Sequence, residues 1–190
     1  MARALVSVYD KSELDNFARF LTEQNLEIVS SGGTARFLRE TGIKVTPVGA
    51  ITGFPEVLDG RVKTLHPVVH AGILARRSLR EDMRTLQEFS IQQIDWVVVN
   101  LYPFRQKLEE LEDEAALLEF IDIGGPTMIR AAAKNFHDVA VVCDPGDYRW
   151  IQKECAEQGS LSVLSRRYLA AKVFRLMSEY DATIAEFLES

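Results

Sequence analysis

Residues 4–34 read ALVSVYDKSELDNFARFLTEQNLEIVSSGGT, and this stretch decides the fold. Its first run, Ala4–Val8, is short and apolar, the pattern of a strand buried on both faces. Lys11–Gln24 then sets Leu14, Phe17, Ala18 and Leu21 at helical spacing. Leu26–Val29 is a second β-like run, broken by Ser30-Ser31-Gly32-Gly33. Strand, helix and strand in so short a span imply a crossover connection and parallel pairing.

The same alternation continues in both directions along the chain. Thr34–Thr41 reads as a short helix stopped by Gly42, and Ile43–Val48 as a third strand. Trp96–Leu101 and Val139–Cys143 are two more runs rich in β-branched residues. The expectation is an α/β fold, with a mostly parallel sheet of about five strands and helices on both faces. After the last strand Asp144 is a plausible N-cap, Pro145 sits at N1, Asp147 suits the positive helix end, and Gly159 lies past the other end. Leu161–Ser190 keeps Leu169, Val173, Met177, Tyr180, Ile184 and Phe187 at helical spacing. One domain is expected over 1–190, with an α/β core at 1–160 and a C-terminal helical segment at 161–190.

Composition narrows the function. Lys+Arg total 22 against Asp+Glu 28, a net charge of −6, with 47% hydrophobic and 26% charged residues. That excludes a disordered chain and argues against nucleic acid or an anionic membrane as the main partner. The two cysteines, Cys143 and Cys155, form neither a CxxC nor a cluster with histidine, which argues against zinc and fits a reducing cytoplasm. Met1–Asp10 has Arg3 and a short β-like run rather than a signal peptide, and no apolar run approaches the ~20 residues of a membrane helix.

Four segments could carry chemistry. Ser30–Thr34 lies between a strand and a helix, where glycines turn consecutive N–H groups inward and hydroxyls add donors; this suits a phosphate monoester, or is a tight turn. Gly60–Pro67 sets Arg61 and Lys63 at i and i+2, so an extended backbone would project both to one side; a solvated basic loop is the plainer reading. His66 and His70 are four apart, but no Glu and no third ligand accompany them, so no metal is expected; His137 reads as a surface residue. Asn100-Leu101-Tyr102-Pro103 ends a strand, where open parallel sheets meet ligands, and an Asn side chain can read a base or carboxamide edge. Asp122-Ile123-Gly124-Gly125 leads into a helix carrying Lys134; it resembles an oxyanion cradle beside a base, or a helix cap.

Together these segments resemble the IMP cyclohydrolase domain of the bifunctional purine-biosynthesis enzyme that also carries AICAR formyltransferase. The matching stretches are Ser7–Lys11 (SVYDK), Ser31–Ala35 (SGGTA), Thr52–Glu56 (TGFPE), Gly60–Arg76 (GRVKTLHPVVHAGILAR), Asn100–Phe104 (NLYPF), Asp122–Gly125 (DIGG) and Arg130–Asn135 (RAAAKN). The resemblance implies a methylglyoxal synthase-like, Rossmann-like fold and closure of the ribotide FAICAR to IMP with loss of water, without metal or organic cofactor. It implies that Lys11, Ser31, Gly32, Gly33 and Thr34 hold the 5′-phosphate, and that Ser7, Tyr9 and Asp10 join the substrate-binding set. Tyr9 stands where a serine is frequent, so a backbone contact is expected there. Arg61, Thr64 and Asn100 would face the carboxamide and formamide, and the N–H groups near Ile123 and Gly124 the formyl oxyanion. Lys63, Tyr102, Asp122 and Lys134 would form the catalytic group. Lys63 would donate to the carboxamide oxygen, Tyr102 fix its rotamer, and Asp122 and Lys134 shuttle protons.

A homodimer in the cytoplasm is implied as well, with the formyltransferase domain separate or removed. Two other classes use a similar sheet. A methylglyoxal synthase-like phosphate lyase would share the phosphate loop but have no use for Arg61–Thr64 or Asn100–Pro103. A ribotide-sensing regulatory domain, like the allosteric module of carbamoyl phosphate synthetase, need keep only the phosphate loop.

Overall fold

The computed structural model describes residues 2–189, the side chain of Asp59 excepted. Its strands are β1 (Arg3–Val8), β2 (Glu27–Ser30), β3 (Val45–Pro47), β4 (Trp96–Asn100) and β5 (Ala140–Val142). They form one sheet in the order β3-β2-β1-β4-β5, and every pairing is parallel. The chain makes β1, steps outward through β2 and β3, then returns to the other side of β1 with β4 and β5. Ala4, Leu5 and Val6, like Val97, Val98 and Val99, are buried in succession. Neighbouring side chains on a strand point to opposite faces, so both faces of the sheet are covered.

The helices are α1 (Leu14–Glu23), α2 (Gly32–Glu40), α3 (Val48–Thr52), α4 (Pro67–Leu74), α5 (Arg80–Glu88), α6 (Phe104–Glu110), α7 (Glu114–Leu118), α8 (Gly124–Lys134), α9 (Tyr148–Gln158) and α10 (Val163–Glu189). In α1 the buried residues are Leu14, Phe17, Ala18 and Leu21, the stripe read from the sequence. Phe17 stacks on Tyr148 at 4.1 Å, joining α1 to the start of α9. Gly42 takes φ +81° and its N–H donates to Arg39 O, while Ile43 N–H donates to Leu38 O. That cap consumes the first residue of the expected third strand, and α3 begins at Val48, so β3 is shorter than Ile43–Val48.

Asp144 accepts from Gly146 N–H as expected, but it caps a 3-10 turn over Pro145–Asp147 that leads into α9. The last helix buries Leu169, Val173, Met177 and Tyr180 against the core, and Ile184 and Phe187 pack at its edge. Ser190, the end of the expected helical segment, lies outside the described residues. Helices α3 to α7 have no counterpart in the pattern read from the sequence. The first turns of α4 show why: it buries Val69, Gly72 and Ile73 and has almost no polar face, so helical periodicity does not appear. Among the described residues no helix is long and apolar enough to cross a membrane.

Candidate active site

Parallel register brings the strand ends level. Val6 lies opposite Ser30 on β2, and Val8 opposite Asn100 on β4. Since the chain leaves β1 on one side and returns on the other, the loops after β2 and β4 part above β1, and the crevice opens there. It holds a cavity of about 120 Å³. Ser7, Tyr9 and Lys11 enter from the first loop, Ser31, Gly33 and Thr34 from the second, and Asn100 and Tyr102 from the end of β4. Lys63 and Asp122 reach it from loops distant in sequence.

The glycines are not a free loop. Ser31 is extended and caps α2, which begins at Gly32 in the left-handed region at φ +54°, a conformation that favours glycine. The first N–H groups of a helix lack partners within it, so this turn faces the cavity as an anion-binding end. The Ser30 and Ser31 hydroxyls are buried and without a partner among the described residues. Of the two, Ser31 lines the cavity, so its hydroxyl is available to a polar ligand there. Thr34 is different: its hydroxyl accepts from Val8 N–H and donates to Val8 O, both at 3.0 Å. It buckles α2 to β1 instead of offering itself to an anion.

Positive charge stands beside this turn. A Cβ on Gly32 would lie 3.0 Å from the Lys63 Nζ. The Lys11 Nζ donates to Tyr9 O at 3.1 Å. Arg61 and Lys63 do not share a side, because residues 61–64 follow a 3-10 turn (Leu58–Gly60) and are themselves turned. Arg61 is exposed and pairs with Glu119 at 2.5 Å, away from the cavity to which Lys63 points. Thr64 is buried, and a Cβ on Gly124 would come 2.6 Å from its hydroxyl oxygen, so glycine is required there by close approach.

Asn100 is placed as expected but occupied otherwise. Its Oδ1 accepts from the N–H groups of Tyr9 and Asp10, at 2.7 and 2.9 Å, and its Nδ2 donates to Asp10 O at 2.8 Å. The amide holds the backbone of the β1–α1 loop from the cavity wall. That also uses the Tyr9 N–H, so the backbone contact expected of Tyr9 is already taken. The Asp10 carboxylate is turned to Ser12, whose hydroxyl and N–H hold its pKa below the ordinary value.

Asp122 is both cap and cavity wall. Its Oδ1 accepts from Gly125 N–H at 2.9 Å. Burial raises its pKa, opposed by the Gly125 N–H, the Lys63 charge and the Gly124 N–H. Of the cradle expected at Ile123 and Gly124, the Gly124 N–H is directed at the protein's own carboxylate, and Ile123 is exposed at its side. Tyr102 packs its ring on Tyr9 at 5.2 Å and edge-on to Phe120 at 6.0 Å. Burial first, then Asp122, raises its pKa. Behind Asp122 stands a residue the sequence reading assigned only to the core: Tyr180, whose hydroxyl accepts from Asp122 N–H at 2.8 Å.

Lys134 is not brought to this group. It lies exposed at the far end of α8, whereas Asp122 precedes the near end, and an 11-residue helix separates its ends by about 15 Å. Antiparallel return of that helix to the start of β5 carries Lys134 toward the N-terminal ends of the strands, away from the cavity. His66 caps α4, its Nδ1 accepting from Val68 N–H at 3.2 Å, and burial lowers the pKa of His70. No group of three or more His, Cys, Asp or Glu able to hold a metal occurs among the described residues. A roomier hollow of about 720 Å³ lies at those N-terminal ends around Arg77 and Asp95 and contains none of the candidate residues.

Known proteins match this chain along its length. The family model for the MGS-like domain covers residues 13–127, and that for the AICARFT/IMPCHase bienzyme covers 132–190. The bifunctional purine biosynthesis protein PurH of Clostridium perfringens is 55% identical over 186 residues, which is 98% of this chain and 37% of that protein. The PurH of Clostridium beijerinckii is 54% identical over the same shares. The chain therefore spans a little over a third of the length of these relatives. The crystal structure of ForH superposes with a TM-score of 0.87 at 38% identity, covering 98% of both chains.

Proposed function

The chain belongs to the MGS-like domain family, and from that premise we propose that it is an IMP cyclohydrolase, closing FAICAR to IMP with loss of water. The observation that carries this is the meeting of an anion-binding helix end, the Lys63 ammonium, the Tyr102 phenol and the Asp122 carboxyl around one cavity. A phosphate sensor need keep only the helix end, and a phosphate lyase would share it but has no use for the residues of Arg61–Thr64 or Asn100–Pro103. The likeness to two PurH proteins over 98% of the chain supports the same reading.

The reaction joins two groups of one imidazole, so their relative orientation is largely set before binding. The ribotide phosphate seats on the first turn of α2, with Ser31 and the Lys11 ammonium. Lys63 donates to the carboxamide oxygen and favours its imidate-like form, and Tyr102 holds that group in plane. The carboxamide nitrogen attacks the formyl carbon, and the oxygen it displaces from the double bond becomes a hydroxyl. Asp122 takes a proton from the attacking nitrogen and delivers it to the formyl oxygen, then takes the formamide N–H proton and delivers it to that hydroxyl, which departs as water as the ring C=N bond forms. Its raised pKa suits a group that must both hold and release a proton. Lys134 has no step in the cavity formed by one chain. Residues 1–160 would bear the chemistry and 161–190 brace it, in a cytoplasmic homodimer.

The test is ultraviolet-monitored conversion of FAICAR by the purified chain without added metal, beside dihydroxyacetone phosphate. Formation of IMP with no methylglyoxal is the expected result. Methylglyoxal formation, or binding of ribotides without turnover, overturns it.

A further inference from the structure

The C-terminal helix reaches the Asp122 segment through the phenol of Tyr180. Tyr180 is 8% exposed on α10, its ring edge-on to Phe104 at 6.4 Å. Its hydroxyl accepts from Asp122 N–H at 2.8 Å and donates to Phe120 O at 3.3 Å. One O–H thus ties both ends of the segment Phe120–Asp122. Each end has a neighbour in the cavity wall: Asp122 bears the carboxyl, and the Phe120 ring packs against Tyr102. Burial pushes the Tyr180 pKa up to about 12, so the hydroxyl keeps its proton, and with it the bond to Phe120, through the physiological range.

We propose that Tyr180 is a positioning residue for the ring closure, its hydroxyl holding Phe120–Asp122 so that the Asp122 carboxyl and the Tyr102 phenol meet the substrate in working orientation. This rests on the cyclohydrolase reading above. A part in packing alone would need the ring, which Phe104 contacts; positioning needs the hydroxyl, which makes two backbone bonds and no bond to the phosphate turn. The adjacent Asp181 supplies the comparison, since it pairs with Arg130 on the exposed side and makes no bond to the segment.

Tyr180→Phe keeps the ring and removes only the hydroxyl, so the variant retains the core. The expected result is a kcat for FAICAR about 10–100-fold lower, the cost of a misplacement of roughly 1 Å. KM stays within about threefold, because binding at the phosphate turn is untouched. Amide exchange at Asp122–Gly125 quickens about tenfold or more, while that at Gly32–Thr34 does not. Asp181→Asn leaves kcat, KM and exchange at wild-type values. The proposal is overturned if Tyr180→Phe keeps wild-type kcat, if exchange at Asp122–Gly125 is unchanged, or if exchange rises throughout the sheet. Absence of FAICAR turnover by the wild-type chain refutes the cyclohydrolase reading alone; the exchange comparison still decides whether the hydroxyl holds the segment.

Discussion

Gly125→Ala puts the geometry of the acid under direct test. A Cβ built on Gly125 lies 2.3 Å from Asp122 Oδ2, 3.0 Å from its Cγ and 2.8 Å from Leu101 Cδ2. Leu101 is packed against the core, so the carboxyl is the group that must move. Moving it stretches or breaks the 2.9 Å bond from Gly125 N–H. Overpacking costs about 1–3 kcal/mol, and a hydrogen bond to a charged group contributes about 1.5–3. Alanine returns at most about 1 kcal/mol of helix propensity. The net loss is therefore about 1.5–5 kcal/mol, and at this chain length each kcal/mol lowers Tm by about 2–4 °C. Displacing the carboxyl by roughly 1 Å should lower kcat about 100-fold, with a smaller change in KM. Thermal unfolding and FAICAR cyclisation measured on the same preparation decide it. A variant that melts at or above the wild-type temperature and keeps its turnover would refute the packing argument, because only the helix-propensity gain would then be visible.

Three further outcomes follow from the same contacts. Asp122→Asn keeps an oxygen for Gly125 N–H but cannot cycle a proton, so kcat should fall about 100–10,000-fold. Because folding raises the Asp122 pKa above its ordinary 3.8, the stability it lends is present while it is protonated and is lost as pH rises through the raised value. The Tm of Asp122→Asn should therefore exceed that of wild type at neutral pH, with the gap closing on acidification; a gap that widens in acid would contradict the sign. Asn100→Ala releases three bonds to the Tyr9–Asp10 backbone, each worth about 0.5–1.5 kcal/mol net. KM for the ribotide should rise about tenfold with kcat affected less, and a kcat loss at constant KM would show instead that the amide meets the reacting groups. Thr34→Val leaves the buried N–H and C=O of Val8 unpaired, at about 1–3 kcal/mol for each. Chemical denaturation should show that loss without a change in m-value.

What could be read from the sequence was whatever depends on neighbours in the chain. The five strands, the Leu14–Phe17–Leu21 stripe, the glycine stop at Gly42 and the cap at Asp144 follow from local apolar runs and turn chemistry, which the tertiary structure did not override. The apolar helix α4 escaped that reading because a helix with almost no polar residues has no periodic contrast to detect. For the site, residue types were legible and directions were not. Arg61 and Lys63 part company because a 3-10 turn replaces extended backbone, Asn100 faces the β1–α1 loop, and Lys134 is carried by α8 to the other end of the strands. Tyr180 gave a sequence signal only as one apolar position in a helix, since its partner Asp122 lies 58 residues away. The sequence by itself determined the α/β sheet and the inventory of chemical groups, because both rest on local pattern. Which groups meet in one cavity was decided only by the parallel register and the crossover to β4, since through-space distance is a property of the folded chain.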